Sequence, residues 1–146
     1  MASKPILLVE DNPDDEELIL LALKDHKVAN DVVVAHDGVE ALEYLFATGR
    51  YAGRDPAKTP ALVLLDLKLP KLSGFDVLKR LREDPRTKIT PVVILTSSNE
   101  EEDIVTSYQL GTNSFVRKPI EFHEFQKVVK EIGVYWLLVN QPPIIE

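Results

Sequence analysis

The chain lacks several features that define large classes of proteins. It contains no cysteine, which excludes disulfides and thiolate metal sites. No apolar run approaches the roughly 18 residues that a membrane-spanning helix needs, and the opening MASKPILLVED has no secretory apolar segment preceded by basic residues. Basic residues are a minority, with 17 Lys and Arg against 24 Asp and Glu, so the net charge is −7. We therefore expect a cytoplasmic protein that binds neither a membrane nor, directly, a nucleic acid.

The length and composition fit one globular domain. Hydrophobic residues make up 45% of the 146 residues and charged residues 28%, as in ordinary globular proteins. A chain of this length is sufficient for one full core and short for two. We expect a single domain over residues 1–146, with its core in residues 4–134 and an apolar C-terminal extension over residues 135–146.

Five short apolar runs, rich in branched side chains, predict strands. The first, third and fourth are almost continuously hydrophobic, which is typical of strands buried on both faces in a parallel sheet. The runs are PILLVED (5–11), DVVVAHDG (31–38), ALVLLDLKLP (61–70), PVVILTSS (91–98) and SFVRKP (114–119).

The segments between and after these runs have helical periodicity. The first has a capping candidate, Asn12, followed by Pro13 and a cluster of acids, as helix starts prefer. Strands that alternate with helices five times predict an α/β fold with a parallel, doubly wound sheet. The predicted helices lie in NPDDEELILLALKDHK (12–27), GVEALEYLFATG (38–49), GFDVLKRLRED (74–84), NEEEDIVTSYQLG (99–111) and EFHEFQKVVKEIGVYWLLVN (121–140), the last with an apolar stripe of Phe122, Phe125, Val129, Ile132 and Trp136.

Polar side chains follow four of the five predicted strands. In an open parallel sheet the carboxyl ends of the strands form the ligand-binding edge, so these groups are expected to meet there. Clustered carboxylates need a cation, and a set of oxygen ligands favours Mg²⁺, Mn²⁺ or Ca²⁺ over zinc. An aspartate beside a divalent cation, a lysine and a threonine makes a plausible phosphoryl-accepting site. The residues are Glu10, Asp11, Asp66, Thr96 and Lys118.

Each of these residues alone also has an ordinary structural explanation. Glu10 and Asp11 could cap the first helix, Thr96 could bond its own backbone, and Lys118 could be a solvated surface cation. The functional interpretation depends on all of them falling at the same end of one sheet.

The set VED, LLDLKLP, VVILTSS and FVRKP resembles the receiver domain of two-component response regulators. The resemblance covers about residues 4–134 and implies the flavodoxin-like (βα)5 fold with strand order 2-1-3-4-5. The polar excursion at residues 48–60 and the extension YWLLVNQPP are similar to the stand-alone regulators of cyanobacterial and bacterial phytochromes. That resemblance implies a phytochrome-type histidine kinase as the partner.

The resemblance also implies a metal-assisted phosphoacceptor. Asp66 is similar to the phosphoacceptor, and Asp11 to the residue that ligates Mg²⁺ directly, with Mn²⁺ as a possible substitute. Glu10 would act on the metal through water, and the backbone carbonyl of Lys68 would complete the protein ligands.

Further residues would bind the phosphoryl group and transmit its arrival. Thr96 is similar to the switch hydroxyl, Phe115 to the switch aromatic and Lys118 to the phosphate-binding lysine. The peptide bond between Lys118 and Pro119 is expected to be cis. The chain would then be a signalling protein that catalyses only its own phosphorylation and dephosphorylation. A constitutive dimeric scaffold of the same fold is the alternative, and an enzyme is disfavoured because the first βα turn has no Gly-rich phosphate loop.

The apolar residues at the end of the last predicted helix exceed what one helix can bury against its own sheet. We expect a homodimer or partner contact through Tyr135, Trp136, Leu137 and Val139. The alternative is that these residues pack back on their own domain. In the regulators that the chain resembles, dimers form through the face made by helix four, strand five and helix five.

Overall fold

A computed structural model describes residues 4–24 and 30–143 of the chain. Five parallel strands form one sheet in the order β2-β1-β3-β4-β5, which confirms the predicted α/β fold and strand order. The strands are β1 (Ile6–Val9), β2 (Val32–Ala35), β3 (Leu62–Leu65), β4 (Val92–Thr96) and β5 (Ser114–Arg117).

A helix follows each strand, as the alternating pattern predicts. The helices are α1 (Pro13–Lys24), α2 (Gly38–Phe46), α3 (Gly74–Glu83), α4 (Glu101–Gln109) and α5 (Phe122–Val134), with a short 3-10 helix at Gly49–Tyr51 and a π-helical turn at Tyr135–Val139. No helix in the described ranges 4–24 and 30–143 is long and apolar enough to cross a membrane.

Side-chain caps begin several of these helices. The Asn12 Oδ1 accepts the backbone N–H groups of Asp14 at 2.9 Å and Asp15 at 3.1 Å, which confirms the predicted start of α1. The Asp37 Oδ1 caps α2 by accepting the Glu40 N–H at 2.7 Å. These bonds satisfy donors that a helix start otherwise leaves unpaired. Both helices begin shortly after the carboxyl ends of their strands, β1 and β2.

Both faces of the sheet are buried, and alternate residues along each strand enter different core clusters. In β1, Leu7 and Val9 join the first cluster, which includes buried residues of α2 and α3. Ile6 and Leu8 join the second cluster, which includes buried residues of α1 and α5. This arrangement explains the continuous hydrophobic runs, because every residue of a central strand faces a helix layer.

The C-terminal extension is divided between burial and exposure. Trp136 and Leu137 pack partly buried against the second core cluster, so the alternative of packing on their own domain holds for these two residues. Tyr135, Leu138 and Val139 are instead 49%, 61% and 65% exposed. The π-helical turn rotates successive side chains away from the register of α5, so only part of the apolar run reaches the core.

The predicted apolar stripe of α5 is wrong at its first position. Phe122 is 48% exposed, whereas Phe125, Val129 and Ile132 are buried. Phe122 is the first residue of the helix, and at that end of the helix it lies against solvent rather than the sheet.

Candidate functional site

The carboxyl ends of four strands bring the predicted polar residues to one edge. Asp66 follows β3, and its backbone N–H donates to the carbonyl of Val9 in β1 at 3.1 Å. Lys118 follows β5, and its backbone N–H donates to the carbonyl of Thr96 in β4 at 2.7 Å. Glu10 follows β1 directly. The parallel register therefore places these side chains together, as the sequence predicts.

Asp66 is buried, and hydrogen-bond donors contact both of its carboxylate oxygens. The Thr96 hydroxyl donates to Oδ1 at 2.7 Å, and the Lys118 ammonium donates to Oδ2 at 2.9 Å. The backbone N–H of Lys68 adds a longer bond to Oδ1 at 3.3 Å. A buried carboxylate is costly unless it is paired and hydrogen-bonded, and these contacts provide both.

A close backbone approach holds Asp66 against the start of α3. Gly74 lies so close to it that a Cβ atom at that position would be 2.2 Å from the Asp66 carbonyl oxygen. The Gly74 N–H also donates to the carbonyl of Leu67 at 2.9 Å. Only glycine allows this approach, so Gly74 contributes to the placement of the Asp66 backbone.

Lys118 is the only buried cation among the described residues, and it lies among three carboxylates. Burial opposes its charge, but the neighbouring Asp66 and Glu10 carboxylates outweigh burial and raise the pKa of Lys118 above its ordinary value. The ammonium is therefore charged in the neutral pH range. It donates to Glu10 Oε1 at 2.6 Å, Asp15 Oδ2 at 2.9 Å and Asp66 Oδ2 at 2.9 Å.

Asp15 is the residue of this site that sequence reasoning missed. Its position among the acids of the first helical turn suggested only a favourable interaction with the helix N-terminus. It lies four residues after Asp11, the predicted metal ligand, which precedes the first residue of α1. That spacing was the available signal, but it does not say which side of α1 faces the sheet.

Three carboxylates at this edge could hold a metal ion. Glu10, Asp11 and Asp66 each offer one oxygen, and these oxygens all lie within 4.8 Å of one another. Asp11 is exposed while Glu10 and Asp66 are buried, so one side of the group opens to solvent. A set of oxygen ligands with room for water fits Mg²⁺ or Mn²⁺.

The electrostatics of Glu10 also fit a cation. Burial raises the pKa of Glu10 above its usual range, although the hydrogen bond from Lys118 opposes the rise. The other carboxylate oxygen, Oε2, accepts the N–H of Asn12 at 3.1 Å. A divalent ion among these carboxylates would stabilise the ionised form and offset their repulsion.

The predicted switch residues lie on neighbouring strands. Thr96 is fully buried at the end of β4. Phe115 pairs in register with Ile94 and packs, partly buried, against the first core cluster. Their roles as switch hydroxyl and switch aromatic stay predictions, as does ligation by the carbonyl of Lys68.

One expectation at this edge is wrong. The bond between Lys118 and Pro119 is trans, and the described residues contain no cis peptide bond. The trans form of a bond before proline is the more stable by about 0.5–1 kcal/mol. In this trans geometry the Lys118 backbone already bonds to Thr96 and its ammonium already reaches the carboxylates.

Comparisons with known proteins agree with this geometry. The family model described as the response regulator receiver domain matches residues 6–130. Response regulator Rcp1 of Synechocystis is 37% identical over 134 residues, which cover 92% of this chain and 89% of that protein. A solved structure of the Mn²⁺-bound form of Rcp1 is 35% identical and superposes with a TM-score of 0.90, covering 97% of this chain and 99% of that one.

Two further solved structures are phytochrome response regulators. The phosphorylated cyanobacterial phytochrome response regulator RcpA is 41% identical with a TM-score of 0.91, covering 98% of this chain and 100% of that chain. The bacteriophytochrome response regulator AtBRR is 54% identical with a TM-score of 0.75, covering 97% and 100% respectively. The family model matches most of the chain. Asp66, Thr96, Lys118 and the acidic pair also lie together at one edge of the sheet. The chain belongs to the response regulator receiver domain family and is related to the phytochrome response regulators.

Proposed function

We propose that the protein accepts a phosphoryl group from a sensor histidine kinase on Asp66, in a reaction that depends on Mg²⁺. The observation that carries this proposal is the surroundings of the Asp66 carboxylate. A hydroxyl and an ammonium contact its two oxygens, and carboxylate oxygens of Glu10 and Asp11 lie within 4.8 Å of it. The Mn²⁺-bound Rcp1 and the phosphorylated RcpA support the metal and the modification.

In the proposed step, an Asp66 carboxylate oxygen attacks the phosphorus of a phosphohistidine. An O–P bond forms, the N–P bond breaks, and the imidazole leaves with the electron pair of that bond and takes up a proton. Asp11, Asp66 and the Lys68 carbonyl would hold Mg²⁺, with Glu10 acting through water, and the ion would supply positive charge to the phosphoryl oxygens. The protein catalyses only its own phosphorylation by this transfer and its own later dephosphorylation.

The Lys118 ammonium and the Thr96 hydroxyl, which now donate to Asp66, would donate to the transferred phosphoryl group. The Lys118 ammonium, now on Asp66 Oδ2, is placed to neutralise a phosphoryl oxygen attached to that carboxylate. The Thr96 hydroxyl, now on Oδ1, is placed to donate to another. Most of the work of the protein is therefore positioning and electrostatic stabilisation.

The signal would leave the site through the strands that carry these donors. When Thr96 moves toward the phosphoryl group, it vacates space into which Phe115 can turn, because the two residues lie on paired strands. The face of α4, β5 and α5 then changes. The two states exist before phosphorylation, and the new charge shifts their populations.

The kinase partner we infer is of the phytochrome type, and the signal is passed on through a homodimer or a protein partner. The relation to RcpA and AtBRR supports the first inference. The exposed Tyr135 and Val139 on the C-terminal side of α5 support the second. We also infer a cytoplasmic location, because the proposed phosphotransfer from a sensor histidine kinase takes place there.

The test is incubation with acetyl phosphate with and without Mg²⁺. Mass spectrometry of the intact protein then measures the gain of phosphoryl groups. The expected result is the gain of one phosphoryl group in the presence of Mg²⁺ and none with Asp66→Asn. Asp55→Asn is the matched control, because Asp55 lies in the loop before β3, at the opposite edge of the sheet. A phosphoryl group that persists in Asp66→Asn would overturn the assignment.

The same reaction identifies the donor. Purified phytochrome-type kinases and other histidine kinases are compared for phosphotransfer to the protein at short times. Preferential transfer from the phytochrome-type kinases is expected, and equal or faster transfer from unrelated kinases would contradict the proposed partner.

A further inference from the structure

The Lys118 ammonium has a third carboxylate partner that does not belong to the metal-ligating set. An ammonium has three N–H donors, and all three are used, by Glu10, Asp15 and Asp66. Glu10 and Asp66 are both members of the carboxylate group that could hold a metal ion, whereas Asp15 is not. The three partners of Lys118 therefore differ in what happens to them during the proposed reaction.

Metal binding and phosphorylation would weaken the bonds of two of the three partners, Glu10 and Asp66, to the Lys118 ammonium. A metal ion among Glu10, Asp11 and Asp66 competes with Lys118 for the same carboxylate charge. Phosphorylation then converts the Asp66 carboxylate into an acyl phosphate, which has less charge on its own oxygens. Asp15 neither reacts nor lies within the metal group, so its bond to Lys118 can persist throughout.

The position of Asp15 in the fold suits such an anchor. It lies in the first turn of α1, whose start is held by the Asn12 cap, and it is 103 residues away from Lys118 along the chain. The side chain of Asp15 is 25% exposed and that of Lys118 is 6% exposed, so the bond lies at the boundary of the site. A lysine side chain has many accessible rotamers, and a bond from a capped helix start restricts this freedom.

We propose that Asp15 is a positioning residue that holds the Lys118 ammonium beside the phosphoryl site when the metal and the phosphoryl group engage its other two partners. This inference rests on the proposed function of Asp66. It assigns to the acid cluster of α1 a role beyond helix capping, and it makes α1 part of the phosphorylation machinery.

The chain supplies a matched control in the preceding residue. Asp14→Asn removes the same charge from the same helical turn as Asp15→Asn, and the Asp14 side chain is exposed. Asp14 is not among the partners of Lys118 in the part of the chain that the structure describes. Both variants lose one negative charge near the metal ligands, so long-range effects on Mg²⁺ affinity should be alike in the two.

The first measurement is the affinity for beryllofluoride, a stable phosphoryl mimic, at saturating Mg²⁺, followed by NMR. Asp15→Asn is expected to weaken binding about tenfold relative to Asp14→Asn, as loss of one charged hydrogen bond would. In a Lys118→Ala background this difference should vanish, because Asp15 acts through the ammonium. Asp15→Glu keeps the charge and should restore part of the affinity, and it serves as the second variant if Asp15→Asn does not fold.

The second measurement does not require metal or phosphoryl binding. The ammonium signal of Lys118 in NMR spectra of the metal-free protein should be protected from exchange in the wild type and in Asp14→Asn, and should broaden in Asp15→Asn. An unchanged signal in Asp15→Asn, or equal beryllofluoride affinities in the two Asn variants, would overturn the proposal. Failure of the proposed function looks different, since the wild-type protein itself would then bind no beryllofluoride and take up no phosphoryl group.

Discussion

At the carboxyl edge of the sheet, Glu10, Asp66 and Lys118 are at most 8% exposed and are held by charged hydrogen bonds. At the amino edge, the residues that precede the strands instead line a groove of about 190 Å³ together with Trp136 and Leu137, and this lining is partly apolar and partly polar. Charges buried at the first edge each need a partner of defined geometry. Apolar packing at the second edge needs only volume, and it tolerates an irregular turn of chain.

The difference between the edges indicates where sensitivity to substitution is concentrated. A single change at the carboxyl edge leaves uncompensated charge behind, whereas a change at the amino edge leaves only a cavity. The following experiments test that contrast, beginning with the largest expected effect.

Lys118→Met removes the cation from between two buried carboxylates while nearly retaining its volume. Removing one partner of a buried ion pair costs about 3–5 kcal/mol, so the free energy of unfolding without Mg²⁺ should fall by about that amount. Urea denaturation at neutral pH measures it. Arg117→Met is the control, because Arg117 is the preceding residue and is exposed. If the free energy of unfolding falls equally in the two variants, a paired buried charge contributes no more to stability here than a surface charge.

Trp136→Ala tests the amino edge. Trp136 is only partly buried against the second core cluster, so the loss of stability should be about 2–3 kcal/mol, below the range for a fully buried aromatic residue. Beryllofluoride affinity should not change, because the opposite edge carries the site. Val139→Ala, at a position 65% exposed, should stay within about 0.5 kcal/mol of wild type. A loss of beryllofluoride binding in Trp136→Ala would show that the edges are not independent.

The exposed part of the extension is tested by adding charge. Tyr135→Glu combined with Val139→Glu should raise the dissociation constant of the proposed homodimer at least about tenfold, equivalent to about 1.4 kcal/mol, because an apolar contact would then bury unpaired carboxylates. Sedimentation velocity over a range of concentrations measures this. Leu21→Glu adds one carboxylate on α1, where Leu21 is 48% exposed, and should leave the dimer intact. If both proteins sediment like wild type, Tyr135 and Val139 do not form the interface.

Asp37 is a carboxylate at the carboxyl edge that caps α2 and pairs with the exposed Lys71 ammonium at 3.5 Å. The smallest effect is expected there, because an exposed ion pair contributes little to stability. Asp37→Ala should cost about 1 kcal/mol at neutral pH, whereas Asp37→Asn keeps an accepting oxygen and should cost little. The hydrogen bond from the Glu40 N–H holds the pKa of Asp37 below its ordinary value of 3.8. A lowered pKa in the folded state means that this contribution is present above that ordinary value and is lost as pH falls through the folded-state pKa.

Urea denaturation between about pH 5 and pH 2 checks the sign of this effect. Asp37→Asn should lose less stability than wild type over this range, since its amide does not titrate. If the free energy of unfolding falls equally with pH in both proteins, other carboxylates account for the acid sensitivity. The Asp37 cap then makes no measurable contribution to it.

Much of the architecture could be predicted because it depends on local patterns. The continuous apolar run around Leu64 predicts a strand buried on both faces, and the Asn12–Pro13 pair predicts the start of α1. The carboxyl ends of parallel strands meet at one edge, so the convergence of Asp66, Thr96 and Lys118 followed from element order. The sequence did not predict which residues of the C-terminal extension are buried, because an apolar run does not specify which of its faces the rest of the domain will cover.

The sequence by itself determined the strand and helix order, the burial of the sheet and the residue types that reach its functional edge, since periodicity and the parallel topology are sufficient for these. Only the tertiary structure decided that Asp15 joins Glu10 and Asp66 on the Lys118 ammonium. This contact depends on how a helix start and a loop, far apart along the chain, are rotated against each other. Local sequence preferences do not set that rotation, because packing of the whole domain selects it.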